Sequence, residues 1–195
     1  GVEVGVANAV DAFVTGCKSD GIWDAIKASC ILAGARTLAG ALVPLKGAAP
    51  TNNNFVSGDY NRETGLVGNG VDKWLDSNRA TNADPRDSQH IACWVSTAST
   101  TTSGTNQFAA YLAAGSSTSE TSIGRLNLNS ASYFIRSRTS GFAFDQPSGA
   151  SNTGLVGLSR AAGASYVFRS GGTDTTYTRA SADSASVTEE FGVFR

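Results

Sequence analysis

The chain carries one histidine, His90, and three cysteines, Cys17, Cys30 and Cys93, which narrows the chemistry open to it at once. Nucleophilic hydrolysis needs a nucleophile, a base and a group that orients the base. Gly157-Leu158-Ser159-Arg160-Ala161 falls one residue short of a nucleophile elbow, and a lone His90 reads as a polar residue at a strand entrance. Glycoside hydrolysis needs two carboxylates about 5–5.5 Å apart for retention or about 6.5–9.5 Å for inversion. Asp72 and Asp76 have the parity of one strand face, with Trp74 between them. Lys73 and Arg79 stand nearby as counter-charges, so the same pattern describes a solvated face. Glu189 and Glu190 are adjacent and would point to opposite faces.

Metal and phosphate chemistry find little to work with. No C-x-x-C pair suggests zinc, and no acidic run has the spacing of a dedicated calcium loop. Asn82, Asp84 and Asp87 could hold calcium weakly, although a solvated turn is the commoner use of such a run. Gly68-Asn69-Gly70 is placed between strands, where it cannot cradle phosphate at a helix start. No cofactor is expected. The odd cysteine count reads as small buried thiols, and nothing in the sequence supports a Cys17–Cys30 bridge. Sugar binding needs less: one aromatic platform and amide or hydroxyl donors. Tyr60, Trp74 and Trp94 are the candidate platforms, near the polar runs Asn52 to Asn54 and Asn78 to Asn82. The competing reading places the tryptophans in the core, where aromatics carry most of the burial energy.

The elements that would position these groups follow from composition and pattern. The chain has 195 residues, 41% hydrophobic and 16% charged, with 22 glycines and a formal net charge of −1. A typical soluble domain is about 25% charged, so the surface here is hydroxyl and amide, the look of a turn-rich β protein. Neutral balance argues against nucleic acid and against a polybasic membrane surface. The apolar run from Ile31 to Val43 is interrupted by Gly34, Arg36 and Gly40, so no membrane insertion is expected. With no Met at position 1, the chain reads as a processed product or a segment whose start lies elsewhere.

Val10, Phe13, Val14 and Cys17 fall at helical spacing, so a first helix is expected to begin near Ala7 or Asn8 and to end by Gly16 or Gly21. A second is expected from Ser19 or Asp20 to Ala33, with Ile22, Ile26, Cys30 and Ala33 as its stripe and Trp23 beside it. Those stripes either fold back on the domain or dock onto a neighbour. Leu42 to Leu45 suggests a short edge strand. After Gly65 come short alternating runs: Ile91, Cys93 and Val95 on one face against Ala92 and Trp94 on the other. Phe108, Ala110 and Leu112 follow, then Leu126 and Leu128, then Tyr133 and Ile135 against Phe134, Arg136 and Arg138. Val156 and Leu158, Tyr166 to Arg169 and Phe191 to Phe194 complete the strands, with Gly171-Gly172 as a tight hairpin. Polar tracts at Ser96 to Thr105, Gly115 to Ser122 and Gly171 to Thr178 read as surface loops.

The stretch from Asp59 through Gly65-Leu66-Val67-Gly68-Asn69-Gly70, and then Lys73-Trp74-Leu75-Asp76-Ser77-Asn78-Arg79, resembles the opening of a concanavalin-A-like (laminin-G-like) jelly-roll domain. More narrowly it is similar to versions in structural proteins of tailed bacteriophages, with Asn82-Ala83-Asp84-Pro85 and His90 to Val95 in matching order. The Gly154-Leu155-Val156-Gly157 to Gly172 hairpin, the closing Phe191 to Phe194 and the lead-in from Val10 to Gly47 fit the same order. Enzymes of that wider fold carry an E-x-D-x-(x)-E strand, which nothing here matches, so the resemblance carries over no glycanase activity. Its calcium-binding lectin residues are likewise not recognisable. In that fold a further strand near the C-terminus commonly completes the sheet.

The expectation is therefore a mainly β chain, a two-sheet antiparallel jelly-roll sandwich at residues 51–195 behind a helical lead-in at residues 1–50. The resemblance implies a non-enzymatic virion structural protein on the phage particle surface, in head decoration or a tail appendage. Its partners would be other virion proteins and copies of itself, with Phe13, Trp23 and Ile26 as interface anchors. The alternative is a glycan-binding module of a tail fibre that meets host-surface glycan; a glycoside hydrolase is the remote third reading.

Overall fold

A computed structural model describes residues 2–98, 108–114, 120–126, 133–139, 144–147, 153–182 and 189–194. Helix α1 spans Val4–Ser19, and a single helical turn, α2, spans Leu38–Ala41. Strands β1 (Ser29–Cys30), β2 (Pro44–Lys46), β3 (Thr51–Asn53), β4 (Tyr60–Asn61) and β5 (Gly65–Leu66) are short. Longer strands follow: β6 (Trp74–Ala80), β7 (Gln89–Val95), β8 (Phe108–Ala114), β9 (Glu120–Leu126) and β10 (Tyr133–Thr139). The series ends with β11 (Gly154–Ala162), β12 (Ser165–Ser170), β13 (Thr173–Thr178) and β14 (Glu190–Val193).

The chain is mainly β, a two-sheet antiparallel sandwich with an N-terminal helix, as expected. One sheet has six strands in the order β10-β9-β8-β14-β6-β3, and the other has four in the order β13-β12-β11-β7. Ile123, Tyr133 and Ile135 from the six-stranded sheet meet Val95, Val156, Leu158, Tyr166 and Phe168 from the four-stranded one in a single core. Full burial of each such side chain contributes about 1.5–3 kcal/mol, so this layer dominates the stability of the fold. The closing strand β14 lies between β8 and β6, where it completes the middle of the six-stranded sheet. The turn between β12 and β13 has Gly171 and Gly172 at φ 58° and 80°, the paired left-handed residues of a type I′ hairpin.

The lead-in departs from its expected form. Helix α1 starts at Val4, earlier than expected, and turns Val6, Val10, Val14 and Cys17 inward while Phe13 lies off that face, 47% exposed. The second helix from Ser19 or Asp20 to Ala33 does not form. Gly21 takes φ 71° just after α1, and Ile22 and Trp23 both donate their N–H to the Cys17 carbonyl. Ile22, Trp23 and Ile26 are β-branched or aromatic, weak helix formers, and the chain runs instead into β1, which pairs with β2. Strand β2 is the short strand expected near Leu42 to Leu45, shifted to begin at Pro44.

A second apolar cluster joins this region to the sandwich. Leu38, Phe55, Leu66 and Leu75 are buried together, with Leu32, Leu42, Tyr60, Val193 and Phe194 packed against them. Its members come from both sides of residue 50. Strand β10 corrects a second expectation, because all seven of its residues are buried rather than alternating. Its side chains Phe134 and Arg136 are covered by Phe144, whose ring centroid lies 4.8 Å from that of Phe134. Residues 120–122, expected in a loop, begin β9; Leu128 and most of the polar tracts at 96–105 and 115–122 lie outside the described residues.

Candidate functional site

The hydrolytic candidates do not share one strand face. Asp72 sits in the turn before β6, where its Oδ1 accepts from Asn69 Nδ2 at 2.7 Å, so strand parity with Asp76 does not apply. Asp76, on β6, accepts from Asn53 Nδ2 at 2.9 Å. His90 opens the run of exposed residues on β7 and stands directly across from Ser159 on β11. Partial burial of the ring and the nearby Arg169 guanidinium hold His90 below the usual histidine range, the opposite of what an orienting carboxylate would do.

The acidic loop is committed to arginines. Asp84 pairs with Arg79, whose Nε donates at 3.2 Å, and Asp87 pairs with Arg86 at 3.3 Å. Among the described residues, no group of three or more His, Cys, Asp or Glu side chains gathers to hold a metal ion. All three cysteines are free thiols. The Asn52 to Asn54 amides, expected as sugar donors, are used at home: Asn52 brackets Phe55, Asn53 holds Asp76 and Asn54 donates to the Asp72 carbonyl.

The three anchor candidates have different surroundings. Phe13 projects from α1 and is exposed. Trp23 is half-buried under Lys46, whose Nζ lies 5.0 Å above the ring and donates to the Trp23 carbonyl at 2.6 Å, with Lys18 at 5.9 Å. Ile26 is half-buried at the end of a turn before β1, where its N–H donates to the Ile22 carbonyl at 3.3 Å. The base of the helix is fastened by the Glu3–Arg62 ion pair, with bonds of 2.7 and 2.8 Å, and by a bridge between Val2 and Ala35.

The three aromatic platforms are likewise separated. Tyr60 is half-buried on β4 and donates its hydroxyl to the Ala35 carbonyl at 2.7 Å. Trp74 is half-buried where β6 pairs with the edge strand β3, opposite Asn53. Trp94 is open, 74% exposed on the outer side of β7. Strand alternation explains this: Ile91, Cys93 and Val95 turn into the core, so His90, Ala92 and Trp94 must face out.

The register fixes what surrounds Trp94. It stands across from Leu155, Ala92 from Gly157, and His90 from Ser159. Gly157 in turn faces Arg169 on β12, which faces Asp174 on β13. Arg169 and Asp174 form a two-pronged pair, Nε to Oδ1 at 2.6 Å and Nη2 to Oδ2 at 2.7 Å. The result is an aromatic ridge, a floor of small residues and a polar border on one sheet face.

Sequence reasoning missed the buried polar layer at the other end of the sandwich. Arg160, 1% exposed, donates from Nε to the Ser137 carbonyl at 2.8 Å and from Nη1 to the carbonyls of Ala162, Ser165 and Arg179 at 3.1–3.2 Å. Arg138 Nη1 donates to the Thr81 carbonyl at 2.7 Å, and Thr121 Oγ1 to Gln89 Oε1 at 3.0 Å. Arginines on alternating strands look like solvent-facing positions; only the carbonyls that they serve distinguish them.

No protein-family model, curated protein or solved structure matches the chain.

Proposed function

We propose that this chain is a non-enzymatic structural protein of a bacteriophage particle surface, a β-sandwich held to neighbouring virion proteins or copies of itself by its lead-in. One observation carries the reading. Among the described residues, six of the eleven exposed large hydrophobics (Val2, Val4, Phe13, Ile22, Ile31 and Val43) lie within the first 43 residues. Exposed apolar residues concentrated in one segment mark an interaction surface more often than scattered ones do. Helix α1 adds a smooth outer side, because a Cβ placed on Gly5 or Gly16 would meet nothing within 4 Å. A stable contact needs about 1,200–2,000 Å² in total, which a 16-residue helix and the turns after it can supply in large part. The fit of the sequence to phage structural jelly rolls supplies the particle; head decoration and tail appendage both use such a contact.

The test is competitive incorporation. Val4→Ser with Phe13→Ser removes exposed apolar surface without touching either core. In particles assembled from equal amounts of wild-type and variant chain, the variant is expected at least tenfold under-represented by quantitative mass spectrometry. Equal incorporation would remove the lead-in as the docking element.

A further inference from the structure

We propose that the outer face of the four-stranded sheet, centred on Trp94, is a platform that binds a neutral saccharide chain. The inference stands apart from the docking of the lead-in, which uses a different part of the molecule.

An indole 74% exposed at the penultimate position of the edge strand β7 is costly to leave in water, and Leu155 across the pair is 47% exposed beside it. The two form a short apolar ridge. Next along the strands the side chains shrink to Ala92 and Gly157, and a Cβ added at Gly157 would come within 3.3 Å of the Ala92 Cβ. The floor beside the indole is made of these small residues, with the His90 ring along its side, its Cε1 3.7 Å from the same added Cβ. Beyond it stand His90 and Ser159, and across β12 and β13 the Arg169–Asp174 pair. A sugar ring stacks its apolar C–H face on an indole and offers hydroxyls, each donor and acceptor, at its edge. Arg169 keeps unused donors and Asp174 keeps unused lone pairs, both half-exposed, so this pair can serve adjacent hydroxyls.

Charge selects the ligand class. Arg169 and Asp174 cancel, so the face is neutral overall and attracts neither a phosphate-rich polymer nor an acidic glycan.

Size selects against a protein. Four strands and three outward rows span about 14 Å by 14 Å at ordinary strand spacings. That is about 200 Å², against about 800 Å² per partner in a stable protein interface. It matches two or three sugar rings.

The full chain is titrated with cellohexaose, maltohexaose, mannohexaose and chitohexaose, and with hexagalacturonate as the charged comparator, followed by saturation-transfer NMR and calorimetry. Saturable binding of at least one neutral hexasaccharide is expected, with hexagalacturonate at least tenfold weaker. Trp94→Ala should weaken binding at least tenfold, Trp94→Phe should retain part of it, and Asp174→Ala should cost several-fold. Because Trp94 is exposed, its variants should keep the wild-type circular dichroism and melting midpoint. The proposal is overturned if no neutral probe binds, if Trp94→Ala binds as wild type, or if the acidic probe binds best. Self-association that sediments with concentration and vanishes in Trp94→Ala would also overturn it, reassigning the face to a second copy.

Discussion

The Tyr166 hydroxyl donates to Asp145 Oδ2 at 2.6 Å, and the Asp145 backbone pairs in both directions with Ile135 at 3.0 and 3.1 Å. Tyr166 belongs to the four-stranded sheet and Ile135 to the edge strand of the other, so this carboxylate ties the two layers together. Arg179 closes the group, with Nη2 2.8 Å from Asp145 Oδ1.

Removing the hydroxyl in Tyr166→Phe should cost about 1.5–3 kcal/mol, the worth of a hydrogen bond to a charged group. Urea midpoints compare the two chains. The pH profile separates this from simple repacking. Burial raises the Asp145 pKa, but the bonds from Arg179 and Tyr166 outweigh it and leave the carboxyl below its ordinary value. The folded state thus gains stability above about pH 4, the unfolded carboxylate value, and loses it as pH falls through the lowered one. Burial and the Asp145 bond push Tyr166 up, so its contribution holds below about pH 10 and fades as pH rises beyond. Tyr166→Phe should flatten the alkaline limb, and Asp145→Asn the acid one.

Arg160 serves the carbonyls of Ser137, Ala162, Ser165 and Arg179 while its guanidinium lies 5.3 Å from the Tyr166 ring. Ala162 and Ser165 flank the β11–β12 turn, so one side chain holds that turn, the strand beside it and the opposite sheet. Arg160→Met fills comparable volume but orphans those acceptors, and about 3–5 kcal/mol of lost stability is expected. Arg160→Lys should recover only part, since a point charge cannot reach carbonyls on several sides. A thermal midpoint for Arg160→Met within a degree or two of wild type would contradict this.

How much of this was legible in the sequence depends on where each residue's partners lie. The alternation of Ile91, Cys93 and Val95 against Ala92 and Trp94 places Trp94 on the outside, because strand period alone decides it. The Gly171-Gly172 hairpin is equally local. The helix expected over Ser19 to Ala33 fails because its apolar spacing suits a helix while Gly21, Ile22 and Trp23 do not, and pairing of β1 with β2 prevails. Arg138 and Arg160 carry no signal at all, since the Thr81 and Ser137 carbonyls that they reach are 57 and 23 residues away along the chain. The polar border of the Trp94 face depends on the register of β7, β11, β12 and β13, which no single segment encodes.

The type I′ turn gives a test of backbone conformation alone. A Cβ on Gly172 would meet nothing within 4 Å, so any cost of Gly172→Ala comes from its φ of 80°. That cost should be about 1–2 kcal/mol, as for other L residues in the left-handed region. Gly171→Asn should be close to neutral, because asparagine tolerates φ near 58° and is favoured at that turn position. Chemical denaturation of the two variants side by side reads the difference between alanine and asparagine in left-handed backbone.

The thiols supply the last test. Cys93 lies against the main core, and burial pushes its pKa up to about 12; Cys30 is pushed up to about 11 and its Sγ donates to the Ala41 carbonyl at 3.1 Å. Only the thiolate reacts, so at pH 8 a group with pKa 11 labels more than about a hundredfold more slowly than an ordinary cysteine near 8.5. Cys17 is the buried residue on the inward side of α1 and is shielded by packing. Iodoacetamide should therefore modify the native chain slowly at all three positions, and all three rapidly once urea unfolds it. Mass spectrometry of partially labelled protein reads each site separately. Rapid native labelling of Cys93 would mean that the edge of the four-stranded sheet opens far more often than its place beside Val95 and Val156 allows.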